Sequence, residues 1–363
     1  MTRDEFRAAA NAALEAPAGN QALAKDLLSG ASRRPCFVIG RNTQAQDLIE
    51  KVRLDGLIDD FAEPDSAWRG LRVISTAQIP DDAVVINCST SISPVSVGRR
   101  MRDAGKLTIS IQEIIHATAG AMEQPWFVQD QRQDWAQFEV EWADIFASLE
   151  DDRSRQTLFD LIRYRLTADV AVMQAYAVRL KDQYFEPFLD LREEVFVDAG
   201  GFDGDTTEEF CRRYPDYRQV HLFEPSARNL AAAKTRLAGH RDIVFHTEGL
   251  SDQVGQVTFD AEAGSASAVS AGAGETVQMT TLDQALAEPV SFIKMDLEGW
   301  ELTALAGCER HIRDDRPKLA IAVYHRASDF RTVWRYARSI HPDYRVYLRH
   351  YTQGWSETVM FFV

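Results

Sequence analysis

The sequence predicts an α/β protein with two sheet-forming units, and three observations carry that expectation. Short apolar runs alternate with helical stretches over residues 35–114, the pattern of a small parallel sheet. The same alternation returns from Glu194 to Val363 with stronger apolar runs. Between them, residues 115–150, rich in Trp, Gln and acid with Pro125 as a break, read as a connector, and residues 155–188 carry apolar residues at helical spacing. The divisions expected are a small Rossmann-like N-terminal domain at 1–115, a helical connector at 116–190 and a larger α/β domain at 191–363. A chain of 363 residues has the length for this.

Each element has a local reason. Residues 1–30 read as one or two short helices, broken at Pro17-Ala18-Gly19 and at Ser29-Gly30. Strands are expected at 35–40, 56–61, 70–75, 83–89 and 107–114, with helices near 43–52 and 93–105. From Leu158 through Ile162, Leu166, Val170, Met173, Ala177 and Leu180 to Tyr184 and Phe188, the apolar spacing predicts one long helix or two. Trp126, Trp135 and Trp142 are expected in the core. In the larger domain, strands are expected at 194–200, 218–225, 242–249, 290–299 and 318–325, and a terminal antiparallel hairpin at 344–351 and 357–363. Ser226 and Gly239 bound a helix as N-cap and stop. The tract 262–274 is rich in Gly, Ala and Ser and reads as a mobile loop.

Charge narrows the class of partner. Acidic residues number 55 against 40 lysines and arginines, a formal net charge of −15. That balance argues against nucleic acid as the main partner. Cys36, Cys88, Cys211 and Cys308 are far apart and form no Cys-x-x-Cys pair, so they read as small buried thiols in a reducing compartment. No apolar run reaches the roughly 20 residues of a spanning helix, and the N-terminus carries Asp4 and Glu5. The expectation is a cytoplasmic protein, with homo-oligomerisation left open.

The chemistry gathers at strand ends. In an open α/β sheet, ligands bind beyond the C-terminal ends of the strands. Asp198, Glu224, Glu248, Asp296 and His325 end five successive strands. The turn "DAGGFDGD" after Asp198 is rich in glycine, which lets a backbone pass close under a ligand. Asp198, Asp203 and Asp205 around it would repel a pyrophosphate and suit a cationic amine or sulfonium. Glu224, about twenty residues beyond Gly204, can accept both hydroxyls of a ribose. With a purine near Glu248, those features describe S-adenosylmethionine as cofactor.

Six stretches in order, "VFVDAGGFDGDTTEEF", "HLFEPSARNLAAAKTRL", "GLSDQVGQVTF", "TTLDQAL", "FIKMDLEGWELTALAG" and "LAIAVYHRASDF", resemble the FkbM family of class I methyltransferases, over roughly residues 182–363. The resemblance implies a seven-strand Rossmann-like sheet whose last strand runs antiparallel, and O-methylation of a small-molecule or glycan hydroxyl in polysaccharide or natural-product biosynthesis. The unit around "VIGRNT" is similar to small Rossmann-type domains that accompany sugar-modifying enzymes.

Candidate cofactor-binding residues are Asp198, Ala199, Gly200, Gly204, Glu224, Pro225, Glu248 and Gly249; candidate catalytic residues are His325, Asp296, Lys294 and Glu298. Lys294, Asp296 and Glu298 share one face if their strand persists. A Lys294 ion pair that merely holds the turn is the plainer role. His325, neutral near pH 7, is the expected base for the acceptor hydroxyl, with Asp296 the alternative. No metal is expected, because Asp296 and Glu298 lack an evident third ligand. Two rivals remain: an NAD-dependent oxidoreductase, disfavoured by the adjacent Gly200-Gly201 pair, and a non-catalytic methyltransferase-like scaffold in glycan assembly.

Overall fold

The computed structural model describes residues 1–15, 19, 21–63, 65–259 and 275–363. The loop expected at 262–274 lies outside them. The chain gathers into two compact units: residues 1–143, 158–178 and 351–356, and residues 144–157, 179–350 and 357–363.

In the first unit, α1 (Arg3–Glu15) and α2 (Gln21–Leu28) precede β1 (Cys36–Ile39), α3 (Thr43–Lys51), β2 (Gly56–Ile58), β3 (Ala67–Trp68) and β4 (Leu71–Ile74). Then come β5 (Val84–Asn87), α4 (Pro94–Asp103), β6 (Leu107–Ser110) and α5 (Ile111–Ala117). The sheet order is β3-β4-β2-β1-β5-β6, parallel except for the short β3. Side-chain alternation divides its core. Val38, Val84 and Ile86 pack on one face, while Phe37, Ile39 and Val85 pack on the other.

Three expectations change here. The run 107–114 stays a strand only to Ser110, because Ser110 and Glu113 form a capping box that starts α5. Residues 115–150 hold a 23-residue helix, α6 (Trp126–Ser148), bent where Phe138 leaves helical geometry. The apolar periodicity of 155–188 supports only α7 (Asp152–Thr167). Ala168 then takes a left-handed φ of 53°, and Asp169 accepts from the Ala171 N–H to start a short 3-10 turn. Trp135 and Trp142 are core residues as expected, but Trp126 is half exposed, edge-on to Trp355.

The second unit is built on seven strands. They are β7 (Val195–Ala199), β8 (Gln219–Phe223), β9 (Ile243–His246), β13 (Phe292–Met295), β14 (Lys318–Ala322), β15 (Val346–His350) and β16 (Thr358–Phe362). Three further strands, β10 (Gly249–Leu250), β11 (Gly255–Phe259) and β12 (Glu275–Thr280), form a small separate sheet. The order of the main sheet is β15-β16-β14-β13-β7-β8-β9, and β16 alone runs antiparallel to its neighbours. This is the class I methyltransferase arrangement expected. Helices α8 (Asp205–Arg213), α9 (Ala227–Arg236), α10 (Leu282–Ala285), α11 (Glu301–Ala306), α12 (Glu309–Asp314) and α13 (Ala327–Ile340) connect the strands. All four cysteines are buried and unpaired. Among the described residues, no helix is long and apolar enough to cross a membrane.

Neighbouring β7 and β13 are tied by a ring stack: Phe196 lies 4.9 Å from Phe292 and 4.4 Å from Phe210, and all three are buried. Truncating Phe196 empties that contact beneath the site. Phe196→Ala is expected to lower stability by about 3–5 kcal/mol, checked by urea unfolding followed by far-ultraviolet circular dichroism.

Candidate active site

The first feature is the turn between β7 and α8. Gly200 sits at φ 78°, and a Cβ there would lie 2.1 Å from the Asp296 carbonyl oxygen, so the turn tolerates only hydrogen. Gly201 presses on Leu222, and Gly204 (φ 84°) on Leu237 and Ala233 of the neighbouring helix. The N–H groups of Gly200 and Gly201 both donate to the Phe223 carbonyl. The glycines thus bring the ends of β7, β8 and β13 together.

Beneath the turn lies a buried ion pair. Asp198 is fully buried, with one carboxylate oxygen 2.9 Å from Lys294 Nζ and the other accepting from Thr207 Oγ1 at 2.7 Å. Lys294 Nζ also donates to the carbonyls of Ala199 (3.3 Å) and Gly200 (2.8 Å). Burial opposes the charge on Lys294, but the Asp198 and Asp296 carboxylates hold its pKa above the ordinary value. The ammonium is therefore committed to the turn. The strand ends at Met295 and Glu298 takes a left-handed φ of 54°, so Lys294, Asp296 and Glu298 do not form the expected row.

Glu224 leaves β8 with each oxygen on one backbone donor: Phe202 N–H at 2.9 Å and Ser226 N–H at 2.8 Å. Each oxygen keeps a lone pair for another donor. Burial raises its pKa, partly offset by those N–H groups. Pro225 and Gly249 lie side by side: a Cβ on Gly249 would stand 3.7 Å from the Pro225 ring and 2.8 Å from Met279 Sδ. Glu248 precedes Gly249 and is half-buried. Asp203 is paired with Arg236 at 2.6 Å, which weakens the negative field once ascribed to the turn.

The second cluster stands past β13 and β14. Asp296 accepts from Tyr184 Oη at 2.7 Å and from Tyr324 Oη at 3.4 Å. His325 Nε2 lies 3.5 Å from Asp296 and 3.3 Å from Glu298, and its Nδ1 lies 3.1 Å from Glu301. Burial alone would lower the His325 pKa; the carboxylates of Glu298, Glu301 and Asp296 more than offset it and push it up to about 11. His325 is an imidazolium at neutral pH, so its expected role as a neutral base does not hold in this state. The physical reason is the ring of three acids, two of which, Glu298 and Asp296, were anticipated.

Four partners escaped the sequence reading. Glu301, 1% exposed, accepts from the Leu297 and Gly299 N–H groups and faces the imidazole. Its only signal was the spacing Glu298-Gly299-Trp300-Glu301. Tyr324 was visible as the neighbour of His325. Tyr184 was assigned to a helix face, yet it takes φ 72° and turns its hydroxyl to Asp296. Glu357 precedes β16 and accepts from Gln183 Nε2 at 2.9 Å, and Gln183 also donates to Tyr184 Oη. Burial and the Asp296 charge raise the Glu357 pKa to about 7. Donor atoms of Asp296, Glu301 and His325 lie within 4.8 Å of one another and could hold a divalent cation if the imidazole gave up its proton. The lack of a third ligand is thus no ground against a metal.

Residues 198–353 match the family model of the methyltransferase FkbM domain. This segment is an FkbM methyltransferase domain. The whole chain is also similar to the crystal structure of methyltransferase FkbM from Methylobacillus flagellatus KT, at 23% identity, TM-score 0.76, and coverage of 99% of this chain and 98% of that one. Aeropyrum pernix fibrillarin, solved with natively bound S-adenosyl-L-methionine, aligns at 12% identity over 51% of this chain and 71% of its own, with TM-score 0.34. Comparison with curated proteins gives no match. With the FkbM domain in place, the oxidoreductase reading loses its support.

The charge state of His325 is open to measurement. Its folded pKa lies above the ordinary 6.5, so the stabilisation from its ion pairs is complete below pH 6.5 and is lost as pH rises toward 11. The stability difference between wild type and His325→Gln should shrink as pH rises above 6.5. Urea midpoints of both proteins across that range check it; a difference that stays constant refutes the imidazolium.

Proposed function

We propose that the protein is an S-adenosylmethionine-dependent O-methyltransferase acting on a sugar hydroxyl of a glycan, glycolipid or related natural product. The observation that carries this is the pairing, in an FkbM domain, of a glycine turn and the Glu224 carboxylate at the end of β8 with an acid cluster at Asp296. The donor set fits the cofactor: Glu224 offers lone pairs to ribose hydroxyls, Pro225 and Gly249 give a close wall for a purine, and Glu248 stands at its edge. The Ala199, Gly200 and Gly204 backbone shapes the floor, while Asp198 and Lys294 position that floor from below. When bound, S-adenosylmethionine supplies a methyl group on a sulfonium. The sugar acceptor rests on the family's similarity to glycan and small-molecule methyltransferases.

On the acceptor side, the protein must align a hydroxyl and take its proton. Asp296 is the anchor, its carboxylate oriented by Tyr184 and Tyr324. Glu357, with a pKa of about 7, is the group matched to proton acceptance near neutrality, linked to Asp296 through Gln183 and Tyr184. His325, itself held by Glu298 and Glu301, stands 3.5 Å from Asp296 and balances its charge. Incubation with labelled S-adenosylmethionine and fractionated cell glycans, followed by mass spectrometry, tests the reading; no methylated product in any fraction, despite cofactor binding, favours a scaffold.

Glu224→Ala should weaken cofactor affinity while leaving the fold intact. Two charge-assisted hydrogen bonds are at stake, each about 1.5–3 kcal/mol at most. Calorimetric titration of the folded variant with S-adenosylmethionine checks this, and an unchanged affinity removes Glu224 from the ribose site.

The rate should fall as pH drops through about 7, where Glu357 gains its proton. Glu357→Gln should lower turnover by a factor on the order of 10²–10⁴ and erase that acid limb, while His325→Gln keeps the limb and moves it to higher pH, because the His325 charge lowers the Glu357 pKa. pH–rate profiles of the three proteins, with and without chelator, decide it. A limb lost in His325→Gln returns the base to His325, and activity lost on chelation points to the cation site.

A further inference from the structure

The first unit contains a cavity of about 530 Å³ lined by its own residues. It opens beyond the C-terminal ends of β5 and β6, where Asn87 and Ser110 end those strands. In an open parallel sheet this is where ligands bind, and the order β2-β1-β5-β6 puts the topological switch point at the adjoining β1/β5 boundary. Its size falls within the roughly 300–1,000 Å³ of small-molecule sites.

Its lining is cationic. Arg102, Arg132 and Arg163 all face it, and among the described residues none of them makes an ion pair with a carboxylate. Arg132 is anchored by Nε on the Leu166 carbonyl at 2.8 Å, and Arg163 lies 5.2 Å over the Phe159 ring. Burial, then the charge of Arg132, lowers the pKa of His116, also in the wall, so that ring is neutral. Two acids also line the cavity, outnumbered by the three guanidinium groups: Glu113 accepts from the Ser110 N–H and Oγ, and Asp169 from the Ala171 N–H.

A second observation points to a ligand. Gln112 is 4% exposed; its Nε2 donates to Gln124, yet its Oε1 is buried with no partner. Nδ1 of His116, one turn on, is likewise unpartnered. Buried polar atoms are normally satisfied, so these two ask for a partner from the cavity they line. Gly98 keeps the opposite wall clear: a Cβ there would come within 3.2 Å of Arg102 Nη1 and 3.6 Å of Asn87 Nδ2.

We propose that this cavity binds the phosphate group of a small molecule, with Arg102, Arg132 and Arg163 on the oxyanion and Gln112 and His116 on its polar remainder. Guanidinium groups match phosphate oxygens bidentately and remain charged at every physiological pH. The phosphate can come from a free oxyanion or from a nucleotide ester, and the two are separable. The inference stands apart from methyl transfer in the second unit.

Calorimetric titration of the full chain with inorganic pyrophosphate and with uridine 5′-diphosphate tests it, uridine serving as the uncharged control. At least one of the two anions should bind and uridine should not. Affinity should fall about tenfold or more in Arg102→Gln and in Arg132→Gln. Arg102 is exposed, so its variant keeps the test valid if Arg132→Gln does not fold. Tighter binding of the nucleotide identifies an ester; equal or tighter binding of pyrophosphate identifies a free oxyanion. The proposal is overturned if neither anion binds, if uridine binds equally, if the folded arginine variants bind unchanged, or if Glu224→Ala abolishes the binding, since that places the anion in the second unit.

Discussion

The site in the second unit depends on one buried ion pair. Lys294 and Asp198 are 3% and 0% exposed at the side chain, and their contact spans the boundary between β13 and β7. Two charges taken out of water attract strongly, but that attraction does little more than offset desolvation. Removing one partner is the costly event, about 3–5 kcal/mol, because the other charge is stranded. What the pair contributes is geometry. Lys294 also grips the carbonyls of Ala199 and Gly200, the Asp296 N–H donates to Ala199, and the Asp296 carbonyl leaves Gly200 room only for hydrogen. The glycine turn after β7 and the acid cluster after β13 thus meet at one backbone crossing.

That constraint explains why charges on neighbouring strand ends serve different ends. Asp198 and Lys294 neutralise each other inside the fold. Glu224 is held at the end of β8 by two backbone donors, Phe202 N–H and Ser226 N–H, one on each oxygen. Asp296, Glu298 and Glu301 surround one imidazole, leaving an excess of negative charge even with His325 protonated. The same excess raises Glu357 toward neutrality, and it raises the hydroxyls of Tyr184 and Tyr324, which therefore donate to Asp296 without ionising. Burial is the first cause at each of these groups, and the acids add to it.

The strand ends were legible in the sequence because each rests on local signals: an apolar run, a glycine turn, a polar residue where the run stops. Asp198, Glu224, Asp296 and His325 fall where those signals put them. What could not be read was which group each side chain would face. Lys294 pairs with Asp198, 96 residues away, and Glu357 reaches the cluster through Gln183, 174 residues away. Periodicity misled at 168–188, where Tyr184 fits a helical stripe but the chain has already left the helix through Ala168. Residues 107–114 misled in the same way: the apolar pattern continues past Ser110, and only the capping box says the strand has ended.

The two units place opposite chemistry on the same scaffold position. In the second, the turn after the first strand passes close to the Asp296 carbonyl, with Asp198 paired to Lys294 and Asp203 to Arg236. In the first, the equivalent turn is filled. Gly40 takes φ 107° to let the backbone pass Cys88 and Ser89, Arg41 is paired with Asp59, and Asn42 caps α3 by accepting from the Ala45 N–H. The single glycine of "VIGRNT" thus serves an internal close approach. The open space moves across the sheet to the ends of β5 and β6, and the residues facing it there are arginines and amides. A parallel sheet supplies a concave edge at its C-terminal end whatever the ligand. Which ligand it suits is decided by the side chains gathered there: carboxylates around one imidazole in one unit, guanidinium groups and amides in the other.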